Sequence, residues 1–502
     1  MSLASPQTND RTGRDWRVTL AVAGLVLVAV AIRLPNLDAA LLGRHGFRET
    51  QTAYTAVLYH DEGLSLLHPE LPVLGAPFEV PFEFPAFQAI ASVVMRLGVP
   101  ADAAMRVTAL ACFIASALLL FGFVRRFADT LSALVALGVF LFSPFALLWS
   151  RASLIEYLAT AAALGYLWAG LEWRERRTAS LAVIAVLAGS LAFAVKITTA
   201  VIFLVPLLTY VAASDLPGLR STLRARLAPT FVALLLVPLA AGLLWTRHAD
   251  AIKEASEMTQ WLTSDALRTW NFGTLDQRLE DWRWVELAQR MGRDHLGIVL
   301  LPLFVAGLLQ SRRRSLWLGW VAGGVAGVLI FFNLHVVHDY YQAALTPIGA
   351  AIAGVGASAL FRHPRLVRFR TPMAVAAVVG LLVAVGVAGD HYFWERAWRD
   401  TPRSDVRLAM ARSIEAHTLP SDRVAVLGLD WSSEVLYYAR RKGIMFAGKV
   451  PIATTLAAID GSYRLLAVTP AVPVELRAQV LRHWESVREV EPGIYRVAGP
   501  KP

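Results

Sequence analysis

Runs of apolar residues long enough to cross a bilayer recur along this chain and govern what it can fold into. A helix crosses the hydrocarbon core with about 20 mainly apolar residues, fewer where the span is thin or tilted. Eleven segments meet that requirement, near 17–34, 102–124, 131–149, 154–171, 179–195, 198–213, 229–245, 296–310, 316–333, 340–360 and 372–389. Composition agrees: 56% of the 502 residues are hydrophobic and 17% charged, against roughly 45–50% and 25% in ordinary globular proteins. A signal peptide is the other reading of the first run, but Arg33-Leu34-Pro35 follows it directly with no small-residue cleavage signal, so a retained helix is expected. The single cysteine, Cys112, excludes an internal disulfide framework or a thiolate metal site.

The stretch 179–213 is too long for one span, and it contains Lys196. A lysine at mid-bilayer is costly, so a turn is expected at Lys196-Ile197-Thr198-Thr199, with one short helix before it and one after. Charge distribution tests this choice. With the split at Lys196 and a cytoplasmic N-terminus, Arg11/14/17, Arg125/126, Arg174/176/177, Arg220/224/226, Arg312/313/314 and Arg362/365/368/370 all fall on the inner side, as the positive-inside rule requires. The short outer turns carry only Arg151 and Lys196. Much of the net charge of +10 is then an orientation signal rather than a sign of nucleic-acid binding.

This arrangement places three further segments outside. Residues 35–101 form a first loop, with an interfacial helix expected over 85–97. Residues 246–295 are rich in tryptophan (Trp261, Trp270, Trp282, Trp284), a residue suited to the water–lipid boundary. Residues 390–502 alternate strand-like runs (Val424–Leu429, Ile444–Ala447, Leu465–Val468) with helix-like runs (404–417, 472–486), which predicts a small α/β domain. The expected class is therefore an all-α polytopic membrane protein of about eleven transmembrane helices, residues 1–389, followed by a soluble α/β domain. There is no solenoid period and no phosphate-binding loop of the GxxxxGKS kind. Glycines 319–327 lie within an apolar span, where small residues serve helix packing.

The polar residues that stand out are confined to the outer side. Arg44-His45-Gly46-Phe47-Arg48-Glu49-Thr50-Gln51-Thr52-Ala53-Tyr54 lies about ten residues past the first span. A carboxylate there is partly desolvated, which raises its basicity, while Arg48 keeps it ionised; the alternative is a solvated loop helix. Glu79 and Glu83 follow among aromatics and prolines (Phe78-Glu79-Val80-Pro81-Phe82-Glu83-Phe84-Pro85), which reads as a shaped site or as a surface loop with its acids in water. Asn333-Leu334-His335-Val336-Val337-His338-Asp339-Tyr340-Tyr341-Gln342 brings imidazoles and phenols to the outer end of the ninth span, where they suit metal binding, an anionic headgroup or plain interfacial anchoring. Lys196, Arg106 and Arg151 are cations at the same depth, able to hold a phosphate or to snorkel. Together they describe a cavity with cations for a phosphate and a carboxylate for a base.

In this order the features resemble the polyprenyl-phosphate-sugar-dependent glycosyltransferases of the GT-C fold, the family 39-type group that includes protein O-mannosyltransferases and lipid A aminoarabinose transferases. The resemblance covers residues 17–360. It rests on Arg33-Leu34-Pro35, Arg48-Glu49-Thr50-Gln51-Thr52-Ala53, Glu83-Phe84-Pro85, Ala194-Val195-Lys196-Ile197 and His338-Asp339-Tyr340-Tyr341 before Pro347. The family's loop motif begins Asp-Glu, and an acid there is its candidate base; this chain has Arg48 in place of the Asp and keeps Glu49. The family's Glu-Lys-Pro reads Glu83-Phe84-Pro85, so its cation is missing. The resemblance implies transfer of a sugar from a polyprenyl-phosphate donor to a hydroxyl of a glycan, lipid or protein, with inversion. Glu49 would act as base, Arg48, Lys196, His338, Tyr341 and Arg106 would hold the donor phosphate and sugar, and Glu83 and Glu79 would serve as acceptor or structural acids. No metal is required if the cations do this work. The implied location is the plasma (inner) membrane, with the large loops and the C-terminal domain extracytoplasmic. A secondary transporter or lipid flippase is the competing class, and it predicts mid-membrane charges and an internal repeat.

Overall fold

The structure, a computed structural model, describes residues 12–215, 228–295, 297–311, 313–389 and 405–501. Each of the eleven apolar segments is helical. The first is α1 (Thr12–Arg33), and the loop that follows it holds α2 (Gly46–Asp61) and α3 (Ala86–Arg96). The bundle continues with α4 (Ala101–Phe127), α5 (Thr130–Phe142), α6 (Pro144–Trp149), α7 (Glu156–Arg176), α8 (Ala179–Asp215) and α9 (Ala228–Glu254). The third expected span is thus two helices. Ser143 caps α6 by accepting from the N–H of Ala146, and Pro144, which has no N–H to give, sits at its first turn. Among the described residues, five helices are long and apolar enough to cross a membrane by length and composition: 16–33, 101–127, 179–210, 230–254 and 339–362.

The Trp-rich segment forms three short helices, α10 (Arg268–Phe272), α11 (Leu275–Leu279) and α12 (Asp281–Gln289). It starts later than the sequence suggested, because α9 runs on to Glu254. Next come α13 (Gly297–Gln310), α14 (Arg314–Ile330), α15 (Phe332–Val337), a 3₁₀ turn at Asp339–Ala344, α16 (Thr346–Arg362) and α17 (Arg370–Gly389). Helix α3 buries Phe87, Ala91 and Met95 and leaves Ile90, Val93 and the following Leu97 exposed, a one-sided apolar pattern.

Helix α8 reverses at Lys196, which is extended (φ −161°, ψ 91°). Ala188 lies against Gly165 of α7 and Leu207 against Gly170. A straight helix would carry Leu207 roughly 28 Å past Ala188, whereas Gly165 and Gly170 are little more than one turn apart. The chain therefore passes α7 twice in opposite directions, as the cost of a mid-bilayer lysine required. Small residues allow the close approaches that follow: Gly319, Gly323 and Gly327 of α14 lie against Thr209 and Ile202 of α8, and Gly307 of α13 crosses Gly356 of α16.

Basic residues gather at one end of this bundle. Arg126 pairs with Glu172 and Glu175, Arg176 with Glu172, and Arg313 with Glu175; Arg362 pairs with Asp129 nearby. Arg11, Arg220, Arg224, Arg226 and Arg312 lie outside the described residues.

The C-terminal domain packs on the opposite end. It carries α18 (Val406–His417), α19 (Glu434–Ala439), α20 (Ile452–Ala457), α21 (Val474–Leu481) and a five-stranded sheet of β1 (Arg423–Leu427), β2 (Gly443–Met445), β3 (Tyr463–Val468), β4 (Trp484–Glu491) and β5 (Ile494–Pro500), in the order β2-β1-β3-β5-β4. Strand β1 runs parallel to β2 and β3, with Val424 opposite Gly443 and Leu465, while β5 is antiparallel to β3 and β4. The final hairpin corrects the sequence reading, which extended a helix to residue 486. Five consecutive residues of β4, Glu485–Glu489, are exposed, so the strand carries no alternating apolar signal. Residues 390–404 of the expected domain lie outside the described residues.

The domain is sewn to the first loop. Gly443 and Met445 donate backbone N–H groups to Pro72 and Val73 (3.2 and 2.7 Å), so the loop covers the free edge of β2. Tyr437 and Tyr438 donate to Asp102 at the start of α4 (2.5 and 3.1 Å). Thr50 and Ser433 share a hydroxyl hydrogen bond of 2.8 Å.

Candidate functional site

Three chain reversals meet where the bundle faces the domain: the start of α2, the turn of α8 and the break between α15 and the 3₁₀ turn. Loop residues 82–84 are laid across them. Phe84 N–H donates to the carbonyl of Ala194 (3.1 Å), and the Trp245 indole donates to the carbonyl of Phe82 (3.0 Å), which carries Glu83 towards Lys196.

Two ion pairs occupy this junction. Arg48 pairs with Glu83, and its other nitrogen donates to Gln51 Oε1 (3.1 Å). Lys196 pairs with Glu156, both about 4% exposed. Lys196 Nζ also lies 3.6 Å from the ring centroid of Tyr341 and 5.4 Å from that of Tyr340. Burial alone would lower the Arg48 pKa, but Glu83, together with Tyr340 and Tyr341, raises it overall. Burial would raise that of Glu83, and Arg48 first and then Lys196 bring it below the ordinary carboxylate range. The Arg48–Glu83 pair is therefore held in its charged form.

His338 stacks on Tyr340 and Tyr341 with ring centroids 5.2 and 5.9 Å apart. Burial first, and then His45, Arg48 and Lys196, push its pKa down to about 3, so at neutral pH its imidazole is uncharged. Asp339, 3% exposed, turns the other way and accepts from His45 and Arg44, both at 3.0 Å. It ties the start of α2 to the 3₁₀ turn. Among the described residues, no group of three or more His, Cys, Asp or Glu side chains is placed to hold a metal ion.

The structure thus brings Arg48, Glu83, Lys196, His338 and Tyr341 together. Glu49 leaves α2 in another direction. Its carboxylate accepts from the N–H of Ser153 (2.9 Å), and its carbonyl accepts from the Ser153 hydroxyl (3.1 Å). It is 7% exposed and near Arg151, whose pKa is lowered to about 10 by burial and Arg106 against the pull of Glu49. Arg106 is not in the cluster: its guanidinium donates to the carbonyls of Leu37, Ala39 and Ala40, holding the start of the first loop against α4. Glu79 is also elsewhere, on His68 at 2.9 Å.

Glu156 is the member that the sequence reading passed over, because it falls inside an apolar segment. A lone carboxylate near the outer end of a span was the available signal. Several buried polar atoms here have no hydrogen-bond partner: Gln51 Nε2 beside Arg48, Glu156 Oε2 beside Lys196, His338 Nδ1 and both nitrogens of His335. Each unmade hydrogen bond costs about 1–3 kcal/mol, so these atoms are free to pair with a polar group brought to the junction.

Residues 79–245 match the family model described as dolichyl-phosphate-mannose-protein mannosyltransferase. No curated protein sequence matches the chain. Among solved structures, ArnT from Cupriavidus metallidurans aligns over 98% of this chain and 100% of its own, with 14% identity and a TM-score of 0.61; it is also solved bound to undecaprenyl phosphate. The Archaeoglobus fulgidus oligosaccharyltransferase AglB, in complex with an inhibitory peptide and a dolichol-phosphate, aligns over 97% of this chain and 75% of its own, with 12% identity and a TM-score of 0.58. The mycobacterial arabinofuranosyltransferase AftD aligns over 92% of this chain but 35% of its own, with 17% identity and a TM-score of 0.52. The resemblance carried by the loop motifs therefore extends to the architecture of the whole chain, which is built on the GT-C fold of the polyprenyl-phosphate-dependent glycosyltransferases.

Proposed function

We propose that this protein is a multi-pass inner-membrane glycosyltransferase that takes a hexose or pentose from a polyprenyl-phosphate carrier and transfers it, with inversion, to a hydroxyl of a glycan, lipid or protein acceptor. The observation that carries this reading is the junction itself, where two cations and unpartnered polar atoms converge at the end of a GT-C bundle that meets the C-terminal domain. The lipid phosphates in the ArnT and AglB structures support a donor of this class.

In this reading Arg48 and Lys196 draw the donor phosphate, and Glu83 and Glu156 hold those cations in place until it arrives. As the sugar–phosphate bond breaks, negative charge grows on the leaving phosphate, and fixed cations in a dry site stabilise it strongly. His338, uncharged, and Tyr341 contribute hydrogen bonds rather than charge. Glu49 takes the proton of the acceptor hydroxyl as it attacks the anomeric carbon from the face opposite the phosphate. Its carboxylate is oriented by the Ser153 N–H. No metal enters this scheme. The basic end of the bundle is cytoplasmic and the site with the C-terminal domain extracytoplasmic, in keeping with the positive-inside rule.

The test is direct. The full-length protein in lipid nanodiscs is given undecaprenyl phosphate and its mannosyl, glucosyl and arabinosyl esters. Saturable binding of the lipid phosphate that is lost in Arg48→Ala supports the reading, and absence of binding to every one of these lipids overturns it.

A further inference from the structure

The C-terminal domain does more than cover the bundle. The loop after β1 carries Trp431, which lies edge-to-face with Phe47 (centroids 4.9 Å apart) and Trp261 (5.3 Å) and tilted against Phe82 (5.9 Å). These four rings come from three separate parts of the chain: the first loop, the Trp-rich segment and the domain. Each is only partly buried. Phe82 is in turn the ring over which Arg48 is poised, 5.0 Å from its centroid. An unbroken path of contacts therefore leads from the Arg48–Glu83 pair to Trp431.

Trp431 is held firmly. Gly428 and Asp430 before it have left-handed backbones (φ 106° and 49°), and the Asp430 carboxylate accepts from the N–H of Gly448 (2.7 Å). After it, Ser432 donates to Glu434 (3.0 Å), which also accepts from Arg407 (2.6 Å). Ser433 is bonded to Thr50, two residues from Arg48. The backbone on both sides of Trp431 is thus tied down, and through Ser433 it is joined to the helix that carries Arg48.

We propose that Trp431, with Trp261 and Phe82, is the stacking face for the sugar ring of the lipid-linked donor, a role that rests on the glycosyl-transfer reading above. A sugar has an apolar C–H face and a rim of hydroxyls. Aromatic walls with a few placed polar groups are the general solution for such a ligand. Here Glu83 is an acceptor for rim hydroxyls, and Gln51 Nε2, buried without a partner, is a donor for one. A phosphate drawn to Arg48 leaves its directly attached sugar beside Phe82, within reach of Trp431. The ring is preorganised, so little ordering cost opposes stacking.

The experiment compares wild type, Trp431→Ala and Trp431→Phe, full-length in nanodiscs, for binding of undecaprenyl phosphate and of its mannosyl, glucosyl and arabinosyl esters. Wild type binds at least one ester more tightly than the bare lipid phosphate. Trp431→Ala loses that sugar-dependent gain, about tenfold for a well-stacked aromatic contact, and keeps its affinity for bare undecaprenyl phosphate; Trp431→Phe keeps most of the gain. An unchanged gain in Trp431→Ala, or equal weakening of all ligands, overturns the proposal, as does a wild type with no gain for any ester. Failure of the wild type to bind even undecaprenyl phosphate overturns instead the glycosyl-transfer reading on which it rests.

Discussion

Arg48 and Glu83, 35 residues apart in the chain, are ion-paired at the mouth of the bundle. Arg48 stands where the family motif has an aspartate, and Glu83 precedes Phe84, which stands where it has a lysine. The cation missing from the second motif is delivered to its glutamate by the first. Two departures that read separately as losses are one local rearrangement of charge.

Glu49→Gln tests Glu49 as the proposed base. The amide oxygen of Gln still accepts from the Ser153 N–H, so fold and expression are expected to persist. Transfer falls by roughly 10²–10⁴-fold, the range of general base catalysis. Single-turnover transfer from whichever lipid-linked sugar the protein accepts measures this. Near-native turnover moves the role to another carboxylate, with Glu83 and Glu156 next to be replaced.

Lys196→Met leaves Glu156 buried with no counter-charge, which costs roughly 3–5 kcal/mol. The melting temperature in detergent drops sharply. Adding Glu156→Gln removes the stranded charge and recovers most of the loss, but binding of undecaprenyl phosphate stays weak. Recovered binding in the double variant would mean that Lys196 serves the fold alone.

The Glu83 carboxyl, with its pKa held below the ordinary value by Arg48, makes stability depend on pH in a definite sense. A depressed folded-state pKa adds stability above the unfolded value, about 4.3, and that gain is lost as the pH falls through the lower folded value. The melting-temperature difference between wild type and Glu83→Gln is therefore expected to be flat from about pH 8 to pH 5 and to shrink below about pH 4. A difference that fades between pH 8 and 6 points to a different titrating group.

Gly323→Leu should prevent correct assembly of the bundle, because even its Cβ would run into the Ile202 carbonyl and overpacking of this kind costs typically 1–3 kcal/mol or more. Gly349→Ala, which meets nothing within 4 Å, is expected to be neutral or to stabilise by up to about 1 kcal/mol through helix propensity. Size-exclusion profiles and thermal unfolding of the two variants separate the cases.

What the sequence determined by itself is what depends on local composition. Runs of apolar residues have to become helices in lipid, and a lysine within such a run has to sit at a turn, so the helical segments and the reversal at Lys196 were legible without coordinates. So were β1, β2 and β3, whose apolar cores mark buried strands, and the loop motifs from which the family resemblance was read. Side-chain partners between distant elements were not legible. Nothing local distinguishes Arg106, spent on three loop carbonyls, from Arg48, paired with Glu83; nor does it show that Glu156 meets Lys196 or that Glu49 turns to Ser153. Strand β4 was missed because Glu485–Glu489 face water and carry no apolar period; its partner β5 was missed although Ile494, Tyr495 and Val497 are buried. Only the tertiary structure decided these points, because an ion pair or an aromatic contact depends on which segments are brought side by side, and in this bundle they arrive from the first loop, the α8 turn, the 3₁₀ turn and the C-terminal domain.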